Sequence, residues 1–266
     1  MAMRDVRSIA ELLALSAADF RDVVTGGTDG PTHQLADVTL LPPVDGRTEV
    51  WAAGVTYERS RDARVEESTE QSVYERVYDA ERPELFLKSV AWRVVTEGEP
   101  IAVRDDSALN VPEPELGLAV NADGDVVGYL VVNDVSSRTI EGANPLYLPQ
   151  AKIYAGSCAV SAGIRPAWEV SDAHALEITM TVRRGADIAF HGTVSTARLR
   201  RSAAELVEYL YRGQSFPDGA VLSTGTGVVP DIDFTLRPGD IVDIDISEVG
   251  RLTNPVVTVE KARTSR

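Results

Sequence analysis

A chain of 266 residues with 44% apolar and 25% charged side chains has the composition of an ordinary globular protein, long enough for one large domain or for a small one joined to a larger. Its 26 Lys and Arg stand against 41 Asp and Glu, and the resulting charge of −15 argues against DNA, RNA or anionic membrane surfaces as partners. Cys158 is the single cysteine, so no intramolecular disulfide can form and a reducing compartment is expected. The opening MAMRDVRSIAELLALS lacks the apolar run of a secretory signal, and no stretch approaches the ~20 apolar residues of a membrane helix. The expectation is a cytoplasmic protein with neither membrane nor nucleic acid as partner.

In chain order, Ser8 and Glu11 have capping-box spacing and are followed by Ile9, Leu12, Leu13, Leu15 and Phe20 on one face, which predicts an amphipathic helix over 8–24. Turn residues follow, and EVWAAGV (49–55) reads as a short apolar strand. Residues 57–83 are charged and helix-forming, with Tyr74, Val77 and Tyr78 at helical spacing and Pro83 as the stop. From about residue 85 the pattern turns to β. One hairpin is expected around Asp123-Gly124, a second around Gly185, and a further strand enters through the Pro-Gly-Asp of LRPGDIVDIDI. Ser202 and Glu205 cap another helix, with Leu206, Tyr209 and Leu210 inward and Gly213 after its end. The division expected is a small N-terminal α/β region, 1–65, and a β-rich α+β main domain, 66–266.

The chemistry concentrates in NVPEPELGL. Proline forces extended backbone there, so Glu113 and Glu115 point to one face about 7 Å apart along the strand. Flanking Val111, Leu116 and Leu118 suggest partial burial, where two like charges raise each other's pKa or need a cation. A bare E-P-E is otherwise at home on an exposed edge strand. The next predicted strand ends its apolar run at Asn133-Asp134, which brings a third carboxylate to the same hairpin. Three oxygen acids suit a hard cation such as Mg²⁺. Zinc is disfavoured because His33, His174 and His191 all lie far from the cluster in sequence, and Cys158, in YAGSCAVS, reads as a buried structural thiol.

In order and spacing, PEPELGLAV, NDVSSR, LYLPQAKIYAGSCAV and LSTGTGVVP resemble the fumarylacetoacetate hydrolase superfamily across about residues 50–257. IEGANPLYLPQAKIYAGSCAV and WAAGVTYERSRDAR most resemble its 2-keto-3-deoxy-pentonate (arabinonate or xylonate) dehydratases. The resemblance implies a fumarylacetoacetase-like mixed β-sheet roll, a homodimer, and Mg²⁺ or Mn²⁺ on Glu113, Glu115 and Asp134. It also implies an active-site lysine at Lys152 and an extra glutamate at Glu84. Hydrolytic relatives carry G-x-N-Y-x-x-H-x-x-E, whose His and Glu activate water. Here Thr56 stands for the Asn, Ser60 for the His and Ala63 for the Glu, which favours dehydration over carbon–carbon hydrolysis.

The implied substrate is a small 2-keto acid, a 2-keto-3-deoxy sugar acid giving 2,5-dioxopentanoate. Its carboxylate and keto oxygen would chelate a metal acting as Lewis acid, with Lys152 at the carbonyl or C3 and Glu84 moving protons at C3 or C4. A Schiff base on Lys152 ranks below metal chemistry. Arg138, Gln150 and Thr226 complete the expected substrate-binding set, Arg138 with a structural salt bridge as its equal alternative. STGTGVVP (223–230) offers backbone N–H groups to an anion but lacks a P-loop lysine, and His191 is read as structural. Hydrolysis of an acylpyruvate, decarboxylation or keto–enol isomerisation is the alternative reaction class.

Overall fold

The computed structural model describes residues 6–26, 33–67 and 76–264. The helix expected over 8–24 folds as two, α1 (Ile9–Leu13) and α2 (Ala17–Thr25). Ser8 Oγ accepts from Glu11 N, and Ser16 Oγ accepts from Asp19 N. Ser16 has φ −58° and ψ 157°, the extended backbone of an N-cap, so a second cap interrupts the first helix. Glu11 bonds the N–H of Arg7 rather than closing a box on Ser8.

The main sheet is built from β1 (Glu49–Gly54), β2 (Glu84–Val90), β5 (Pro114–Val120), β6 (Val126–Asp134), β8 (Cys158–Val160) and β12 (Ala220–Ser223), in the order β2-β1-β12-β5-β6-β8, with β9 (Arg165–Pro166) also on β6. Thus β1, on the N-terminal side of residue 65, lies inside this sheet. β1 and β12 are parallel; every other pair is antiparallel. A second sheet joins β10 (Glu177–Arg184), β11 (Asp187–Ser195), β13 (Ile241–Ile246), β14 (Gly250–Thr258) and β3 (Ile101–Val103) in the order β11-β10-β13-β14-β3. A short ribbon pairs β4 (Asn110–Val111) with β7 (Ser136–Ser137). Both expected hairpins form, β5–β6 and β10–β11.

Strand patterns explain the layering. β5 is buried at every position, as a strand covered on both faces must be, whereas β10 and β13 alternate buried with more open positions. Leu116, Leu118 and Val131 pack with Ile178, Met180, Val182, Ile244 and Leu252 between the two sheets. On the other face, Ala119, Leu130, Val132 and Val221 pack against Leu12, Leu13 and Phe20 of α1 and α2. The N-terminal helices therefore cover one side of the main sheet and the second sheet covers the other.

The remaining helices are α3 (Glu58–Glu67), α4 (Arg138–Ala143), α5 (Leu148–Lys152), α6 (Ala203–Tyr211) and α7 (Val259–Thr264). The charged 57–83 segment is helical over 58–67 and again over 76–79, and Tyr74 lies outside the described residues. Ser202 Oγ caps α6 through Glu205 N, while Glu205 itself turns to Arg201. No helix among the described residues is long and apolar enough to cross a membrane.

Candidate metal and acid–base site

The ends of five neighbouring strands meet at one rim of the main sheet: the C-termini of β1, β12 and β6, and the N-termini of β2 and β5. Side chains there reach a common cleft lined by Gly54, Ser60, Arg64, Glu84, Phe86, Glu113, Glu115, Asp134, Glu141, Lys152 and Thr226. Its free volume is only ≈ 10 Å³, because its own charged groups fill it. A wider groove of ≈ 780 Å³ beside α1 contains Asp45 and Glu99, but both are engaged structurally. Asp45 accepts from the N–H groups of Ile9 and Ala10, and Glu99 from that of Thr96.

Glu113, Glu115 and Asp134 are all buried and can each offer one oxygen within 4.8 Å of the others. Register explains this: Asp134 N donates to Glu113 O at 2.9 Å, so the end of β6 lies beside the approach to β5. Both bonds to Glu115, from Ser223 Oγ at 2.5 Å and Gly225 N at 2.7 Å, use Oε2 and leave Oε1 for a ligand. Asp134 Oδ1 lies near Lys88 but has no well-angled hydrogen bond among the described residues. Burial pushes the Glu115 carboxyl up to about 8, helped by the charges of Asp134 and Glu113. An all-oxygen, like-charged buried set without imidazole or thiol fits a hard divalent cation, Mg²⁺ or Mn²⁺.

Lys152, at the end of α5, donates to Glu113 Oε2 at 2.8 Å, Asp134 Oδ2 at 3.2 Å and Ser136 Oγ at 2.5 Å. Burial acts to lower its pKa, but Asp134, Glu113 and Glu141 outweigh it and raise it, so the group is an ammonium. Burial also raises Glu113, yet Lys152 and Arg64 prevail and hold it down at about 2. Half-buried Glu84 stands opposite Gly54, where a Cβ would meet its Oε2 at 2.1 Å; only glycine leaves room for this carboxylate. Burial first, then Glu141, pushes Glu84 up to about 7.

The three expected substrate contacts, Gln150, Arg138 and Thr226, do not share one place. Gln150 is exposed and outside the cleft, because two residues along a helix is a turn of about 200° from Lys152. Arg138 is buried beside Glu113, its Nη2 2.9 Å from Glu113 Oε1. Thr226 lines the cleft, but its hydroxyl donates to Val228 O and accepts from Val228 N. The glycine-flexed N–H of this loop serves Glu115 rather than an open anion site.

Sequence reasoning missed three buried charges. Arg64 on α3 donates to Glu113 Oε1 at 3.0 Å and pairs with Glu141 Oε1 at 3.1 Å. Lys88 is fully buried under Asp134. Glu141 lines the cleft from α4. Glu141 lies three residues beyond Arg138, one helical turn, which was the available signal for it; Lys88 sits in period two with Glu84. Ser60 Oγ is spent on Tyr57, donating to its carbonyl and accepting from its N–H, and Ala63 is buried, so neither position supplies a base. His191 is exposed on β11 with Nδ1 3.0 Å from the Thr181 hydroxyl. Cys158 is a buried thiol pushed up to about 12 by burial.

Similar proteins match both sequence and fold. A probable 2-keto-3-deoxyxylonate dehydratase of Haloferax volcanii is 44% identical over 255 residues, 96% of this chain and 88% of its own. The 2-dehydro-3-deoxy-D-arabinonate dehydratase of Saccharolobus solfataricus is 43% identical over 229 residues, 85% of this chain and 76% of its own. A solved 2-keto-3-deoxy-D-arabinonate dehydratase, complexed with magnesium and 2,5-dioxopentanoate, superposes with a TM-score of 0.81 at 36% identity and covers 97% of this chain and 94% of that one. The profile for the C-terminal domain of fumarylacetoacetate (FAA) hydrolase matches residues 49–257, and the chain belongs to that family.

Proposed function

We propose that this protein is a magnesium-dependent dehydratase, a lyase that removes water from a 2-keto-3-deoxy sugar acid such as a 2-keto-3-deoxypentonate and gives 2,5-dioxopentanoate. One observation carries the reading: an oxygen-only acid triad, Lys152 and Glu84 share a cleft in which Ser60 and Ala63 supply no water-activating base. The 44% and 43% identical dehydratases and the magnesium complex support it.

Glu113, Glu115 and Asp134 would hold the cation, which supplies Lewis acidity at the keto oxygen when bound. Lys152, kept charged by Glu113 and Asp134, places an ammonium at the reacting carbonyl, which favours electrostatic stabilisation over a Schiff base. Glu84 sits near neutrality, so it can both accept and return a proton at C3 or at the departing C4 hydroxyl. Arg64 and Arg138 hold Glu113 in place. Substrate entry needs groups that line the cleft to move apart, since a five-carbon acid does not fit ≈ 10 Å³.

Incubation of the purified protein and Mg²⁺ with a 2-keto-3-deoxypentonate should yield 2,5-dioxopentanoate, with no turnover of acylpyruvates or oxaloacetate. Rapid acylpyruvate cleavage without turnover of any 3-deoxy sugar acid would reject the reading. A homodimer belongs to the same proposal, supported by large apolar side chains left exposed at Leu41, Trp92 and Leu146. A sedimentation mass near one 28.7 kDa chain would count against it. A cytoplasmic setting follows the lone buried cysteine.

A further inference from the structure

Among the described residues five acids line the cleft, and the metal and proton-transfer roles proposed above use Glu84, Glu113, Glu115 and Asp134. Glu141 is left. It lies on α4, is 3% exposed, and its Oε1 pairs with Arg64 Nε at 3.1 Å. Its Oε2 accepts no hydrogen bond among the described residues, and Arg138 Nε stands 3.8 Å away, beyond hydrogen-bond reach. A buried carboxylate oxygen without a donor is costly, and such groups are retained where a ligand completes them.

We propose that Glu141 is the specificity-determining residue of the cleft: Oε2 accepts a hydrogen bond from a hydroxyl that the substrate carries beyond C3, and its charge keeps a second carboxylate out. The inference rests on the dehydratase reading for its choice of a hydroxylated monocarboxylate. Charge balance points the same way. Among the described residues, five acids lie with four buried cations, Arg64, Lys88, Arg138 and Lys152. A second substrate carboxylate beside Glu141 would add a like charge to this buried acidic set. Glu141 shares the cleft with Glu84, so a hydroxyl held by it lies beside the group assigned to move protons.

Two five-carbon probes separate the effects: 2-oxopentanoate has the keto acid alone, and 2-oxoglutarate adds a carboxylate at C5. Their binding to the Mg²⁺-loaded protein is measured calorimetrically for wild type, Glu141→Gln and Glu141→Asp, beside steady-state kinetics with a 2-keto-3-deoxypentonate. Glu141→Gln should tighten 2-oxoglutarate relative to 2-oxopentanoate by roughly tenfold or more, the scale of a like-charge contact in a partly buried site. It should also raise KM for the sugar acid by more than it lowers kcat. Glu141→Asp keeps the charge but withdraws the oxygen, so it should still reject 2-oxoglutarate while raising KM. An unchanged ratio between the two probes in Glu141→Gln would overturn the proposal, since a purely structural role moves both alike. If wild type turns over no 3-deoxy sugar acid, the dehydratase reading fails on its own, and the probe ratio still decides whether Glu141 guards the cleft.

Discussion

Lys88 Nζ lies 2.5 Å from Asp134 Oδ1, and both side chains are buried. The same ammonium donates to Val135 O at 2.9 Å and Lys152 O at 2.6 Å. One cation thus ties the strand of Glu84 to Asp134 and to the helix end that carries Lys152. Lys88→Met should lower Mg²⁺ affinity about 10–100-fold, the cost of losing a group that orients a ligand. Asp134 keeps Lys152 as its remaining buried cation, so the change should also destabilise the metal-free protein, by less than the ~3–5 kcal/mol of a buried charge left wholly unpaired. Calorimetric titration and thermal unfolding check both; unaltered Mg²⁺ affinity in a folded variant would remove Lys88 from the site.

Metal binding should release protons. Glu115 is pushed up to about 8 by burial, Asp134 and Glu113, and a cation must displace that proton. Near pH 7, Mg²⁺ binding should expel about one proton, so the binding enthalpy differs between phosphate and Tris buffers. Affinity should climb with pH and level off above about 8. EDTA should abolish turnover, and Glu115→Gln should stay folded without binding metal. Equal enthalpies in the two buffers would contradict the assignment.

Stability of the metal-free protein should run the other way. Glu115 and Glu84 have native pKa values of about 8 and about 7, above the ordinary 4.5, so the native state holds more protons between about pH 5 and 8. Stability therefore falls as pH rises through that window. Glu113, held at about 2, acts in the opposite sense below pH 4.5, where its contribution is lost as pH drops. Melting temperatures across pH 5–8, with and without Mg²⁺, test this: the slope should flatten when metal is present.

Gly54→Ala would place a methyl group 2.1 Å from Glu84 Oε2. Displacing that carboxylate should lower kcat about 10²-fold, the contribution of a positioned acid–base group, and leave Mg²⁺ binding intact. A variant with normal kcat would show that Glu84 need not occupy this position.

Lys152→Ala and Glu84→Gln should each reduce kcat by about 10²-fold or more. The double variant should lose less than the product of the two, because groups that act together on one substrate are not additive. Multiplicative losses in single-turnover assays would separate their roles.

The site divides by what sequence spacing can and cannot carry. Glu113, Glu115 and Asp134 are readable because period two and a hairpin bring them together within a short stretch. Lys152 and Glu84 needed the family pattern, and both line the cleft. Arg64 was hidden because ERSRDARVEE has no apolar face to mark which side is inward; only packing buries it. Gln150 misled through nearness in sequence to Lys152, which a helix converts into opposite directions. In the N-terminal helices, the apolar spacing was correct in outline, but Ser16 competes as a cap in the middle of the run.

Thr56, next to the cleft residue Val55, donates to Thr224 O, 168 residues later, and among the described residues Glu115 takes its donors from Ser223 and Gly225. A chain emerging from the ribosome therefore makes the acidic hairpin long before it makes the strand that satisfies it. At about 5–20 residues per second, Gly225 is synthesised roughly 10–45 s after the start, and until then Glu115 lacks its N–H. Synthesis must pass residue 225 before Glu115 has both of these partners.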